Sequence, residues 1–453
     1  MTVAIEGPRP TLADRVERQP VLLSRPGVIE HAMVVLTTFI LVHQTPNVWF
    51  RTRSEFLDDS SNPLMIVIIL ALIAIAFARV AGCIDHLISM LRLETALYLF
   101  AGMTFATIFW SADPAETLKR SILFISVTLF ASYLVMRFSL DQIIRLLALM
   151  WTISAVLNLG FVLAFPEYGV TGDSWSGIFP QKNALGYTAA LGVPTLVIAA
   201  RARRQLRFVF YPAAAIQVVL LVGSQSKTML LATLGPTCLM VVYNAFRGRR
   251  TLRGAVLFSL IGSSVFTVAF ATANIAVLAR WLDKDVTLTG RVPLWENLLP
   301  VAGERPLTGH GYGATFGGFH SPIHEIWIQN RWNPSHAHNA LLQIWLEMGL
   351  VAVALFLFLY VRAVSRGIKV VAIVPGAVGL WPLVFLTTTL LVSITESGMT
   401  ANLLGWLMLT VAVLSVSLHL KHRDRLGLSN DLRDVVGARR PPTASGTEVD
   451  DLL

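Results

Sequence analysis

Long apolar segments separated by short polar ones dominate this chain and recur from Val28 to Leu418. Each is about as long as the 20 residues that an α-helix needs to cross a hydrocarbon core. A backbone in lipid must satisfy its own hydrogen bonds, so such segments have to be helical. We therefore predict an all-α polytopic membrane protein of about 12 transmembrane helices, at 28–48, 62–80, 93–111, 120–137, 142–165, 184–200, 207–223, 227–246, 254–279, 339–361, 370–393 and 399–419.

One connection, residues 280–338, is much longer than most of the others. Long loops are usually functional or disordered, and its aromatic residues favour order: Trp281, Trp295, Tyr312, Trp327 and Trp332. Such rings suit contact with sugars, although they are also common at the level of lipid headgroups. The predicted organisation is an N-terminal tail (1–27), helices 1–9 (28–279), this large outer loop between helices 9 and 10 (280–338), helices 10–12 (339–419) and a C-terminal tail expected to be disordered (420–453).

Composition supports a membrane protein, because 55% of the residues are hydrophobic and only 14% are charged, whereas soluble domains carry about a quarter. The net charge of +9 reflects Arg clusters in short loops, such as 201–207 and 247–253. Such clusters mark cytoplasmic loops and place both termini in the cytoplasm. Nucleic-acid binding is therefore not expected, and the first span is expected to act as the signal anchor because no cleavable apolar leader precedes it.

A histidine pair lies directly before the tenth predicted span, in Pro334-Ser335-His336-Ala337-His338-Asn339. The positive end of a helix dipole disfavours imidazolium, so a histidine there tends to remain neutral and can accept a proton. Ser335 could cap the same helix. The alternative is a polar turn in which one histidine only caps or packs, and the spacing alone does not decide between the two.

Three cations, Lys182, Lys227 and Arg291, lie at predicted outer ends of spans. Together they could bind a pyrophosphate, with Arg as a fork and Lys as a point charge; the alternative for each is contact with lipid headgroups. Glu396, in the outer turn before the last span, is a lesser candidate that could equally cap a helix or pack.

No metal site or cofactor is predicted. Asp283-Lys284-Asp285 is a short match to a metal-binding pattern of glycosyltransferases, and the histidine pair lacks the spacing of a zinc motif. The two cysteines, Cys83 and Cys238, support neither a disulfide framework nor a metal cluster. Phosphate-binding, dinucleotide-binding and serine-hydrolase motifs are absent from the sequence.

Several short motifs occur together in a specific order: Trp110-Ser111 with Asp113-Pro114, Gly177-Ile178-Phe179 with Lys182-Asn183 and Gly186, Thr289-Gly290-Arg291 with Trp295, Gly309 with Gly311-Tyr312-Gly313, and His338-Asn339 followed after nine residues by Gly349. In this order and topology, over most of its length, the chain resembles the O-antigen polymerase/ligase family (the Wzy and WaaL type), including exopolysaccharide polymerases. Two positions depart from the family pattern: Ala352 stands where a different small or an aromatic residue is usual, and Lys227 where the family has an arginine.

The resemblance implies a bacterial inner-membrane glycosyltransferase that polymerises undecaprenyl-pyrophosphate-linked oligosaccharides at the periplasmic face. It implies inverting transfer, with His338 as the base and with Lys227 and Arg291 at the positions of the family's arginines. From their positions in the sequence we expect Lys182, His336, Asn339 and Glu396 around the substrate as well, and the transfer needs no metal. Membrane lipid and a chain-length co-polymerase are the other expected partners.

Two other functions remain open at this point. An O-antigen ligase would transfer the glycan to lipid A-core, and these motifs do not separate it from a polymerase. A lipid-linked oligosaccharide flippase or transporter could also have about 12 spans, but such folds usually show repeated halves, which this sequence lacks.

Overall fold

The computed structural model describes residues 26–43, 63–80, 84–245, 291–316, 321–326, 336–374, 376–394, 396–397 and 403–425. Its helices are α1 (Val28–His43), α2 (Pro63–Val80), α3 (Ile84–Leu93), α4 (Thr95–Ala106), α5 (Pro114–Arg137), α6 (Leu140–Ala164), α7 (Pro166–Gly169), α8 (Lys182–Ala202), α9 (Arg207–Gly223), α10 (Lys227–Ala245), α11 (Arg291–Glu304), α12 (Ala340–Ile373), α13 (Ala377–Ser393) and α14 (Leu403–Arg425). A two-stranded antiparallel hairpin, β1 (Val170–Thr171) and β2 (Ser174–Trp175), is the only sheet in these ranges. The predicted α-helical fold class is thus confirmed for them.

Six of the described helical segments are long and apolar enough to cross a membrane: Pro114–Arg137, Leu140–Ala164, Lys182–Ala202, Arg204–Gly223, Ala340–Val371 and Leu403–Arg423. Helices α1 and α13 are apolar but shorter. These segments support a multi-pass membrane protein. The total of 12 spans and the position of the large loop stay predictions, because the ninth predicted span, the Asp283-Lys284-Asp285 match and most of both tails lie outside the described residues.

The segment before the third predicted span, 93–111, forms helix α3 where the predicted bounds left a loop. Helix α3 and the segment Thr95–Trp110 meet at an angle of 98°, with Glu94 at the bend. The Glu94 side chain is fully buried, pairs with Arg366 of α12 and accepts a hydrogen bond from Ser417 of α14 at 2.5 Å. A buried carboxylate requires such partners, and these long-range contacts hold the bend, which local hydrophobicity could not reveal.

Helix α12 is interrupted at Gly349, whose φ of 80° and ψ of 175° are not helical. A Cβ at this position would overlap the carbonyl group of Leu307, so only glycine permits the crossing. The amide of Leu350 donates to the Pro306 carbonyl at 2.8 Å across the same interruption. The predicted spans 339–361 and 370–393 are therefore a kinked helix that continues to Ile373 and a separate, shorter α13.

Buried tryptophans join the helices through polar contacts. The indole N–H of Trp406 on α14 donates to Thr128 Oγ1 on α5 at 2.8 Å, and that of Trp381 on α13 donates to Thr195 Oγ1 on α8 at 3.1 Å. Both rings are almost inaccessible to solvent. An unpaired indole N–H would be costly in such surroundings, so these bonds help to fix which helices pack together.

The arginine-rich ends of the helices are tied by ion pairs. Both carboxylate oxygens of Glu30 on α1 accept hydrogen bonds from Arg137 at the end of α5, at 2.6 and 2.7 Å, and Tyr133 donates to the same carboxylate at 2.5 Å. Arg203 pairs with Asp141 at 2.9 Å. The histidine pair lies before the first residue of α12, whereas Arg366 lies near its last, so the candidate site and Arg366 are at opposite ends of that helix.

Candidate active site

The carboxylate of Glu396 brings three separate segments of the chain together. Its Oε1 accepts hydrogen bonds from Arg291 Nη2 at 2.6 Å and from Asn183 Nδ2 at 3.0 Å. Its Oε2 lies 3.0 Å from His338 Nδ1. Only about a tenth of the Glu396 side chain is exposed. Three residues singled out from the sequence, His338, Arg291 and Glu396, therefore form one connected cluster.

Four helix N-termini surround this cluster. Helices α8, α10 and α11 begin at Lys182, Lys227 and Arg291, and Asn339 is the N-cap of α12. The unpaired N–H groups and the dipole of each helix create positive potential at its start. This arrangement stabilises the Glu396 carboxylate and is suited to hold a further anion.

Asn339 fixes the segment that carries the histidines. Its Oδ1 accepts a hydrogen bond from the Leu342 amide at 2.9 Å, and its Nδ2 donates to the Ile394 carbonyl at 3.2 Å. Asn339 thus starts α12 and also ties it to the segment before Glu396. The N-cap of α12 is Asn339. Ser335, the cap suggested by the sequence, lies outside the described residues.

The ionised Glu396 determines which ring nitrogen of a neutral His338 carries the hydrogen. Burial opposes ionisation, but the hydrogen bond from His338 and the charges of His338, Arg291 and His336 outweigh it and lower the pKa of Glu396 below its ordinary value. The carboxylate is therefore ionised at neutral pH and can only accept a hydrogen bond. A neutral His338 ring then carries its hydrogen on Nδ1, and Nε2 is its basic nitrogen.

His336 lies beside His338, with ring centroids 4.0 Å apart and ring planes at 85°. Its Nε2 is 3.7 Å from Glu396 Oε2. Nitrogen atoms of the two histidines and an oxygen of Glu396 all lie within 4.8 Å of one another, which is close enough to share a metal ion. Sequence spacing could not show this grouping, since Glu396 is 58 positions from His338. The expectation of no metal in the reaction stays a prediction.

The two predicted lysines lie next to a hydrogen-bonded pair that leads to Glu396. Ser226 Oγ donates to Asn183 Oδ1 at 3.1 Å, and these residues adjoin Lys227 and Lys182 in the sequence. Both lysines are exposed, and neither forms an ion pair with a residue that the structure describes. The close approach of α8 to this turn depends on Gly186, where a Cβ would lie 3.0 Å from Ser226 Cβ.

Only two non-glycine residues in the described ranges have positive φ, His338 and Gln225, both at 51°. Gln225 precedes Ser226 and Lys227, and its side-chain amide donates to the Asp173 carbonyl in the β-hairpin at 2.6 Å. Left-handed backbone is unfavourable for such residues and persists where surrounding contacts impose it. His338 is itself a predicted site residue and Gln225 lies two positions before Lys227, so the tertiary structure holds both turns of the predicted site.

Sequence reasoning missed two buried polar residues on α12, Gln343 and Glu347. Gln343 Oε1 accepts a hydrogen bond from the Ala337 amide at 2.7 Å, between the two histidines, and Gln343 Nε2 donates to Glu347 Oε1 at 2.7 Å. Ser397 Oγ, next to Glu396, also approaches Gln343 Oε1 at 3.4 Å. The sequence shows only two polar residues four apart within an apolar span, and the structure shows that both are buried.

The glycine motif at 309–313 is a support for α12. The Gly311 amide donates to the Glu347 carbonyl at 2.9 Å, and a Cβ on Gly309 would lie 2.5 Å from the Glu347 carbonyl carbon. The Tyr312 amide donates to Thr107 Oγ1 at 3.0 Å. Motifs that are distant in the sequence, at 110–114, 309–313 and 349, thus meet on one side of the histidine segment.

Two aromatic residues of the predicted large loop make internal contacts. Tyr312 is buried, and the indole N–H of Trp295 donates to the Ala337 carbonyl at 2.8 Å. Trp281, Trp327 and Trp332 lie outside the described residues. The order that the aromatics predicted is present in the described part of the loop, where a small apolar cluster packs under the histidines.

Most residues of this site lie in a part of the chain that is similar to known proteins. Residues 212–357 match the family described as O-antigen ligase (Wzy_C). The chain is also 30% identical over 291 residues to the exopolysaccharide production protein ExoQ of Rhizobium meliloti (strain 1021). The two matches support the O-antigen polymerase/ligase family. They bear out the resemblance to that family predicted from the motifs.

The family match includes Lys227, Arg291, His336, His338 and Asn339, whereas Lys182 and Glu396 lie on either side of it. The similarity to ExoQ covers 60% of this chain and 65% of that relative. The chain therefore spans somewhat less than two thirds of the relative's length.

Proposed function

We propose that this protein is a membrane glycosyltransferase that moves a glycan from an undecaprenyl-pyrophosphate carrier to the hydroxyl of an acceptor sugar. The observation that carries the proposal is the contact of one buried carboxylate, Glu396, with both His338 and Arg291. Glu396 thus holds together a base for the acceptor hydroxyl and a cation for the pyrophosphate leaving group, the two groups that such a transfer needs. The family match supports the same class of reaction.

His338 is the general base in this mechanism. Glu396 accepts the Nδ1 hydrogen and holds the ring, as the carboxylate does in a catalytic triad. Nε2 removes the proton of the acceptor hydroxyl while its oxygen attacks C1 of the donor sugar. The bond from C1 to the pyrophosphate oxygen breaks with inversion, and the electron pair leaves with the pyrophosphate.

Arg291, Lys227 and Lys182 act on the leaving group. Charge develops on the pyrophosphate as the bond to C1 breaks, and preorganised cations stabilise that charge. Arg291 is already oriented by Glu396 at 2.6 Å, so little reorganisation is required. Lys227 supplies a point charge at the position where the family has an arginine, and the helix starts at Lys182 and Lys227 add to the positive potential.

His336 and Asn339 have supporting roles. Asn339 sets the start of α12 and thereby the direction of the His338 side chain. His336 adjoins His338 at right angles and is positioned to contact the acceptor. We place the site at the periplasmic face of the inner membrane, with cytoplasmic termini, because the arginine-rich helix ends are the opposite ones.

The acceptor distinguishes two candidate activities. A polymerase adds the glycan to a second lipid-linked repeat, and the similarity to an exopolysaccharide production protein favours this reaction. A ligase adds it to lipid A-core, and the description of the matching family favours that one. We propose the polymerase, on the similarity to the exopolysaccharide production protein.

Purified protein with a synthetic polyprenyl-pyrophosphate oligosaccharide tests the proposal, with a chelator present. A ladder of products is expected from the lipid-linked substrate alone. A single addition that appears only when lipid A-core is supplied would assign the ligase reaction. Absence of products with both acceptors, from protein that remains folded, would contradict glycan transfer.

A further inference from the structure

The cluster of His336, His338 and Glu396 has a second chemical property besides proton transfer. Glu396 Oε2 is 3.0 Å from His338 Nδ1 and 3.7 Å from His336 Nε2. Two imidazoles and one carboxylate form a typical ligand set for zinc, with a water in the fourth position. Zinc–ligand bonds of about 2.0–2.2 Å separate tetrahedral ligands by about 3.3 Å, a value that the two observed distances bracket.

The other contacts of Glu396 leave this arrangement possible. Arg291 and Asn183 both bind Oε1, while the two imidazoles face Oε2. The side chains of His336 and His338 are 24% and 13% exposed, so an ion can reach them from solvent. The guanidinium of Arg291 repels a dication and opposes tight retention, which makes the site suited to reversible binding.

We propose that His336, His338 and Glu396 bind Zn²⁺ reversibly and that the bound ion inhibits glycan transfer. The inhibition rests on the proposed function, whereas the binding does not. Zinc takes the lone pair of His338 Nδ1, so the ring hydrogen that Nδ1 donates to Glu396 is transferred through solvent to Nε2. The ring stays neutral, but Nε2 then carries hydrogen and cannot accept the acceptor proton.

Zinc binding is measured directly on the full chain in detergent, after removal of metal with a chelator. Calorimetric titration with zinc chloride at neutral pH is expected to show one ion per chain. Loss of a residue that only supports a metal ligand typically costs about 10–100-fold in affinity, so His336→Ala is expected to weaken binding at least ten-fold. His422→Ala, at the opposite end of α14 from Glu396, is the matched control and should bind as the wild type does.

Equal affinity in wild type and His336→Ala, or no binding by the wild type, would overturn the proposed site. X-ray absorption at the zinc edge gives an independent check, since two nitrogen ligands with oxygen ligands are expected. A shell that contains sulfur would place the ion elsewhere.

Inhibition is a separate measurement on the same protein. Added zinc should stop ladder formation, and excess chelator should restore it at the wild-type rate. Zinc that binds at His336 and His338 without slowing transfer would overturn the inhibitory part alone. A protein that binds zinc but makes no ladder under any condition would contradict the proposed function and leave the metal site supported.

Discussion

His338 Nδ1 lies 3.0 Å from Glu396 Oε2, although the two residues are 58 positions apart in the chain. The carboxylate accepts the hydrogen on one side of the ring and directs the basic nitrogen to the other. The same carboxylate binds Arg291 through Oε1. A single side chain thus couples the orientation of the base to that of the cation.

Replacing His338 by alanine is expected to remove general-base catalysis, a contribution of about 10²–10⁴-fold in rate. Polymer should be lost while the protein level in membranes stays unchanged, as measured by gel analysis of glycan and immunoblotting. His422→Ala is the control and should keep both. Polymer at the wild-type level from the His338→Ala protein would exclude this residue from the chemistry.

Glu396→Gln is expected to lower the melting temperature at neutral pH, because the neutral amide cannot pair with Arg291. The pKa of Glu396 is lowered in the folded protein, so its stabilising effect is complete above the ordinary glutamate pKa of about 4.3 and is lost as the pH falls through the lowered pKa. The difference in melting temperature between wild type and variant should therefore shrink in acid. Glu304→Gln, at an exposed residue, serves as the control, and a difference that grows as the pH falls would contradict this ionisation.

Lys227→Met should raise the KM for the lipid-pyrophosphate donor, since a cation is removed while the side-chain length is kept. Lys227→Arg should retain activity, because Arg provides the same charge and binds phosphate as a fork. Steady-state kinetics with varied donor measures both. If the Met variant kept the wild-type KM, Lys227 would be a headgroup contact only.

Gln343→Met should lower kcat with little change in KM. The variant leaves the Ala337 amide and the Glu347 carboxylate without their buried partner, a loss of about 1–3 kcal/mol per group. The histidine segment then loses its support. Ser397→Ala, which removes only a contact of 3.4 Å, is the milder comparison, and an equal effect of both variants would argue against this role of Gln343.

Gly349→Ala is expected to destabilise the protein by more than the 1–3 kcal/mol typical of overpacking, because φ is also positive there. Its new methyl group would overlap the Leu307 carbonyl. Gly102→Ala is the matched control, since nothing lies within 4 Å of its added Cβ and alanine favours the helix. Thermal unfolding in detergent measures both, and equal melting temperatures would show that the crossing tolerates a side chain.

The apolar segments predicted to be helical are largely helical where the structure describes them, because the length of an apolar segment is a local property. It did not predict the bend at Glu94 or the break at Gly349, since both depend on what the chain meets elsewhere in the fold: Arg366 in one case and Leu307 in the other. The observed helix boundaries differ from the predicted ones for the same reason.

For the site, residue type and position at helix ends singled out His338 and Arg291 as candidates, with Glu396 as a lesser one. Their mutual contact could not be derived, because it joins segments on different helices. Gln343 and Glu347 were missed because a polar residue within an apolar span gives no sign of its partner.

The break at Gly349 also divides α12 into two parts that are held by different contacts. On the histidine side of the break, the carbonyls of Leu346 and Glu347 are bonded to the amides of His310 and Gly311. These bonds fasten the part of α12 that follows His338 to the segment 309–311. We therefore expect the helix after Gly349 to tilt in a bilayer of different thickness while the distances among His338, Arg291 and Glu396 are kept.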